Sequence, residues 1–250
     1  MKNIQVKVLN ESHENPAGMM MFLAGLTQKG HTIESMTDLD SLYSKSMGNI
    51  KSAKNIAKLP HGTIKRFSPI TVAIVGASRR FLSQIRTHHV GIDFVSASLQ
   101  YSDYSTDGQF TVPFGVLKAP NHIQEMYNKK CEDDLDFYKE LIDLGLDNDT
   151  AGYSMNQALR NILIVQANHD AWSNLIKLRS CHRNTPETQY VTLLIWEALL
   201  NTTDGKELFA WVGPFCKYGP CQEGNMSCGQ PVKRDANPRE IIEEKWGNLL

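Results

Sequence analysis

The chain has 250 residues, room for one large domain or two small ones. With 41% hydrophobic and 21% charged residues it has the balance of an ordinary globular protein. Its net charge of −1 excludes an overall electrostatic pull toward nucleic acid or a membrane surface. No apolar run approaches bilayer-spanning length. The N-terminal "MKNIQVKVLN" alternates like a strand and lacks the apolar block of a signal peptide, so a soluble cytoplasmic protein is expected. The five cysteines, Cys131, Cys181, Cys216, Cys221 and Cys228, are odd in number and argue against a disulfide framework in a chain this large.

In chain order, residues 3–9 read as a strand. "ENPAGMMMFLAGLTQKG" reads as a helix, with Asn15 as N-cap, Pro16 at the first helical position and Gly30 after the end. Its three methionines read as core filling. A polar helical region follows at 36–58. "ITVAIVGA", 70–77, is β-branched and apolar and predicts a buried strand. "SRRFLSQIRTHH" has a helical period, with Phe81, Ile85 and His88 near one face and Gly91 as exit. Residues 93–102 and 109–116 look extended, joined by the turn-like "STDGQ". An amphipathic helix runs from Asn121 to Gly145. Further helical stretches are expected at 153–163 and 169–181. Another helix follows Thr185, with Pro186 at its first position and Glu187 near the positive end of its dipole. The segment 212–231 is rich in Gly, Cys and Pro and aperiodic. A last helix starts at Asn237-Pro238. Strands first and helices later point to an α+β domain with a single core.

Two clusters carry chemistry. Arg86, His88 and His89 fall in the last turn of a predicted helix. There they either complement the dipole or form an anion site, Arg offering a planar fork of donors. Ser98 and Gln100, two apart on a predicted strand, share a face and point at one ligand. Neither a P-loop nor a G-x-G-x-x-G turn is present. In "NHDAWSNLIKLRSCHRNTPETQY", Asn168, Trp172, Leu175 and Arg179 share a helical face, with Asn174 to one side. Arg179 reads either as a buried ion-pair anchor or as a substrate-binding group.

Together the clusters resemble the flavin-dependent thymidylate synthase family, whose signature is RHR-x-x-S-x-N-E-x-S-x-R-Y after a hydrophobic strand, a Ser-Arg pair and a Gln. Here "ITVAIVGASRRFLSQIRTHHVGIDFVSASLQY" supplies the strand, Ser78-Arg79, Gln84 and Thr87-His88-His89. After one extra residue, Ser98 and Tyr101 fall on the later Ser and the Tyr. Asn15-Pro16 and "PHGT" with His61 match weaker features. Downstream, the family's A-R-x-x-L-P and N-A-R-S-L-x-N-F-x-x-L-R are matched without a gap by "AGYSMN" from Ala151 and by Asn168 to Arg179. The tail "GPFCKYGPCQEGNMSCG" resembles a Cys-containing terminus of some members. The pattern departs at Thr87, His89, Asp93, Val95-Ser96, Gln100 and Gly152, four of which replace arginines. A charge-assisted contact is worth roughly 1.5–3 kcal/mol, so a phosphate site that lost two needs compensation. Arg79, Arg80, Arg86, Arg160 and Arg183 are near in sequence.

The resemblance implies a family-like single domain over 1–250, with a central, mostly antiparallel sheet flanked by helices and a Cys-rich loop at about 212–231. It implies reductive methylation of dUMP to dTMP, with methylenetetrahydrofolate as carbon source and FAD reduced by NADPH as hydride source, in a homotetramer with shared sites. It assigns Arg179 to binding and polarising the pyrimidine and Asn168 and Asn174 to the flavin. Arg86, His88 and His89 would lie against the flavin or its phosphates, and Gln84, Ser98 and Gln100 would meet the nucleotide. The alternatives are a related flavoenzyme acting on another pyrimidine nucleotide, or a non-catalytic binding protein of the same fold. Cys216, Cys221 and Cys228, completed by Cys181 or His182, make a loosely spaced zinc set; free thiols in a loop are the other reading.

Overall fold

The computed structural model describes residues 1, 4–9, 15–67, 69–105 and 109–250. Four strands, β1 (Gln5–Val8), β2 (Ile70–Ser78), β3 (Ile92–Ser96) and β4 (Arg160–Ala167), form one antiparallel sheet in the order β1-β2-β4-β3. In β4 the alternation is clear: Asn161, Leu163, Val165 and Ala167 are buried while Ile162 and Gln166 are exposed. The opposite face keeps the row Ala73–Ile164–Val95 and the pair Val75–Ile162.

The helices in chain order are α1 (Pro16–Lys29), α2 (Met36–Met47), α3 (Ala53–Lys58), α4 (Arg79–Ile85), α5 (Phe114–Leu117), α6 (Asn121–Asp143), α7 (Asn148–Gly152), α8 (His169–Arg179), α9 (Pro186–Leu200), α10 (Gly205–Phe209) and α11 (Pro238–Trp246). α9 is the central one, packing against β1, β2, α4, α8, α10 and α11. Val191, Leu193, Ile195 and Leu199 on it are wholly buried. Each such side chain contributes about 1.5–3 kcal/mol on leaving water. Met20 of the methionine run is 1% exposed and belongs to this core. Tyr138, Ala151, Met155 and Leu159 form a second, smaller cluster under α6 and α7.

The α+β class with a central antiparallel sheet is as expected, but several elements differ. Residues 153–163 are not a helix: they are a turn leading into β4, whose apolar residues are claimed by pairing with β2 and β3. The extended stretch at 93–102 stops at Ser96. Of 109–116, Phe110 makes one bridge to Leu159, and α5 begins at Phe114. The expected turn at 105–109 falls largely on 106–108, outside the described residues. The region 36–58 is two helices, broken after Gly48. α4 ends at Ile85, so Arg86 is its C-cap and His88 and His89 lie beyond it.

Candidate functional site

α8 begins at Asn168, whose Oδ1 accepts the Ala171 N–H at 2.9 Å and caps the helix. Trp172 and Leu175 are wholly buried, and the Trp172 indole N–H donates to the Ile70 carbonyl at 3.0 Å, seating the helix on β2. Arg179, its last residue, meets the loop that follows α4. Its Nε donates to His88 Nε2 at 2.8 Å, and Nη1 to Asn184 Oδ1 at 3.2 Å. Nη2 donates to Thr87 Oγ1 at 2.7 Å and to the Gln84 carbonyl at 3.3 Å. Every acceptor is neutral, and no carboxylate pairs with the guanidinium among the described residues. The ion-pair-anchor reading is therefore set aside: this is a half-buried cation held in plane without a counter-charge.

His88 accepts the Arg179 N–H on Nε2, so its ring is neutral and carries its proton on Nδ1. Burial, then the charges of Arg179 and His89, hold its pKa below the ordinary histidine value. Thr87 and Asn184, which sequence reasoning did not assign to the site, complete the cradle. Thr87 stands where the signature has an arginine, and Asn184 sits in the turn before Pro186, positions that offered the only cue.

The other expected residues divide. Arg86 is exposed and donates to Ser96 Oγ at 2.6 Å, and His89 Nδ1 donates to the Thr87 carbonyl at 3.1 Å. Gln84, Thr87, His88 and Arg179 come together; Asn174 is exposed and, among the described residues, makes no hydrogen bond to them. Asn168 and Arg179 lie at opposite ends of α8, about 16 Å apart at 1.5 Å per residue. Ser98 and Gln100 do not share a strand face. They lie past the end of β3, where Ser98 Oγ accepts the Gln100 N–H at 3.1 Å in a turn.

At the arginine-to-glycine departure, Gly152 is buried, and a Cβ there would stand 3.1 Å from Leu99 Cβ, so a longer side chain would require Leu99 to shift. Of the nearby arginines, Arg160 is bound to Gln109 Oε1 at 2.7 Å and Arg86 to Ser96. Arg183 lines the same cavity as Arg179. Glu187, read from sequence only as a dipole partner, reaches back to the first turn of α4. Its two oxygens accept from Ser78 N at 2.8 Å and Ser78 Oγ at 2.5 Å.

The zinc expectation is corrected. Cys181, Cys216, Cys221 and Cys228 border one cavity of about 590 Å³ with His182, but they are free thiols. Among the described residues no three His, Cys, Asp or Glu side chains form a metal-binding group. The loop is organised instead by Lys217, which is 5% exposed, donates to the Ala210 and Val212 carbonyls and lies over the Trp196 ring at 4.7 Å.

Both ends of α8 offer donors that suit an anionic, hydrogen-bonding cofactor: among the described residues, Arg179 has no counter-ion, and the Nδ2 of Asn168, beside Gly91, makes no hydrogen bond. That glycine has φ 69°, and a Cβ on it would come within 2.5 Å of Asn168 Nδ2, so the loop passes over the amide only as glycine. Among the described residues, no helix is long and apolar enough to cross a membrane.

The sequence model of the family described as thymidylate synthase complementing protein matches residues 8–203. A flavin-dependent thymidylate synthase of Geobacter sulfurreducens is 25% identical over 178 residues, covering 71% of this chain and 75% of that one. One from Thermococcus onnurineus is 26% identical over 195 residues, covering 74% and 75%. The fold is that of the UMP/dUMP methylase PolB from Streptomyces cacaoi, solved with 5-Br dUMP, at TM-score 0.65 and 16% identity over 84% of this chain and 96% of that one. It is likewise that of thymidylate synthase X from Helicobacter pylori, solved with FAD and dUMP, at TM-score 0.61 and 17% identity over 82% and 97%. With the matched model spanning most of its length, the chain belongs to the flavin-dependent thymidylate synthase family as a divergent member.

Proposed function

We propose that this chain reductively methylates dUMP to dTMP, taking the carbon from methylenetetrahydrofolate and, through FAD, the hydride from NADPH. The observation that carries the reading is the uncompensated Arg179 guanidinium, fixed by His88, Thr87, Asn184 and the Gln84 carbonyl. FAD, when bound, supplies the hydride. Arg179 stabilises the negative charge that builds on the pyrimidine carbonyl and N3, and a preformed cradle spares it reorganisation. One guanidinium N–H remains for the ligand once the four contacts are counted. Neutral His88 holds the guanidinium in plane. Asn168, Asn174, Arg86, His88 and His89 form the cofactor side in this reading, and Gln84, Ser98 and Gln100 the nucleotide side.

A homotetramer with shared sites, located in the cytoplasm, belongs to the same proposal. The outer sheet face supports assembly: Val75, Val95 and Ile162 on it are 45%, 69% and 43% exposed, and a contiguous apolar face of this kind asks to be covered.

One observation favours a second reading, in which the substrate is another pyrimidine nucleotide. Leu99 packs over Gly152, where the family carries an arginine, and a side chain at 152 would require Leu99 to shift. Incubating the FAD-loaded protein with methylenetetrahydrofolate, NADPH and either dUMP or UMP, with mass analysis of the products, separates the two. dTMP together with rescue of a thymidine-requiring bacterium supports the first. Methylated UMP without dTMP supports the second.

A further inference from the structure

A basic groove lies on the far side of the Cys-rich loop from Arg179. Lys54 and Lys58 reach it from α3, Lys177 from the last turns of α8, and Trp211, Tyr218 and Arg234 from the chain after α10; the cavity measures about 800 Å³. None of its four cations is in an ion pair among the described residues, and none of its described lining residues is acidic. Lys177 lies over the Trp211 ring, 5.2 Å from its centroid. Behind it, Lys65 is already paired with Asp170 at 2.9 Å, so that carboxylate is shared and leaves the groove positive. The Trp211 indole N–H has no acceptor among the described residues. Lys177, Pro214, Phe215 and Gln222 also line the cavity beside Arg179, so the groove adjoins the proposed reaction site.

Unpaired cations beside the exposed Tyr218 ring and the half-buried Trp211 suit a ligand that carries both a flat ring and phosphate. Two co-substrates of the proposed reaction have an anionic end remote from the reacting ring. The glutamate tail of a folate would need cations alone. The adenosine end of a phosphorylated nicotinamide dinucleotide needs cations and a stacking surface, and the groove has both. We propose that the groove binds the 2′-phosphoadenosine end of NADPH, the adenine on the exposed Tyr218 ring next to Trp211 and the phosphate among Lys54, Lys58 and Arg234. This rests on the reaction proposed above.

The probe is adenosine 2′,5′-bisphosphate, added to the full chain and followed by tryptophan fluorescence. Trp172, Trp196 and Trp246 are at most 2% exposed, so quenching reports Trp211. Saturable quenching is expected, weaker at high salt. The affinity should fall roughly tenfold or more in Lys54→Glu/Lys58→Glu and in Arg234→Glu, as loss of charge-assisted phosphate contacts requires. These are exposed positions, and circular dichroism checks that the variants fold. In turnover the same variants should raise KM for NADPH with kcat little changed. Absence of saturable binding, unchanged affinity in both variants, or quenching by γ-linked pentaglutamate but not by the bisphosphate would overturn the assignment. Binding without dTMP formation would sink the reaction and leave the groove; dTMP formation without binding would do the reverse.

Discussion

Arg179 and His88 stand 91 residues apart in the chain and 2.8 Å apart in space, joined from Nε to Nε2. The bond fixes the chemistry of both partners. His88 must be neutral to accept it, and burial keeps its pKa below the ordinary value so that it is. Protonating it would remove the acceptor and set one cation against another. Arg179→Ala is expected to lower dTMP formation by about 10²–10³-fold, the scale of losing a preorganised electrostatic stabiliser. Arg179→Lys should not rescue, because an ammonium cannot meet four acceptors arranged around a planar fork. Single-turnover product assays on folded variants check both; full turnover in either would remove Arg179 from the mechanism.

Gly152 and Leu99 give a second test. Gly152→Ala puts a Cβ 3.1 Å from Leu99 Cβ and should cost about 1–3 kcal/mol by overpacking, read from a thermal melt. Gly152→Arg, which restores the family residue, should destabilise further and gain nothing in dUMP affinity. Adding Leu99→Ala opens the space, so the double variant should recover stability and bind dUMP more tightly in a calorimetric titration. Tighter binding by the single Gly152→Arg variant would contradict the steric account.

What the sequence disclosed follows from how local each signal was. β2 and α9 were legible because a β-branched run and a Pro-led apolar run declare themselves within ten or fifteen residues. The 153–163 stretch misled because short apolar segments fit either period, and pairing with strands about 70 and 85 residues away decided for β4. Arg179 was found through spacing and resemblance. Its cradle was not, since Thr87 and Asn184 acquire meaning only when the loop after α4 meets the end of α8. The four thiols do converge on one cavity, yet spacing could not show that a buried lysine, Lys217, organises their loop.

Glu187 ties α9 to the start of α4 through both of its oxygens, and α4 leads directly to Gln84 and the arginine cradle. Ser78 Oγ also accepts the Phe81 N–H at 3.1 Å, so one serine links the carboxylate to the helix cap. Glu187→Ala strands these donors and should cost about 1–3 kcal/mol. Glu187→Gln keeps one acceptor and should cost less. Denaturant melts rank the variants; equal stability of Glu187→Ala and the parent would show the link to be idle.

His169 sets the acid limit of stability. Its Nε2 donates to the Leu208 carbonyl at 3.0 Å, its Nδ1 has no partner among the described residues, and its ring lies 5.0 Å from that of Phe209. Burial pushes its pKa down from 6.5 to about 4. A base with a depressed folded pKa binds protons more readily when unfolded. Above pH 6.5 it therefore costs nothing, and stability falls as pH drops from 6.5 toward 4, by about 3 kcal/mol in all. His88 and His182, also held below their ordinary values, add to the slope in the same direction. His169→Gln should flatten the dependence in that window while lowering stability at pH 7. Should the variant not fold, an imidazole NMR titration of the unsubstituted protein gives the same answer: one histidine must titrate near pH 4 before the fold is lost, or unfold with the chain without titrating above pH 5. A His169 that titrates near 6.5 in the folded state would refute the assignment.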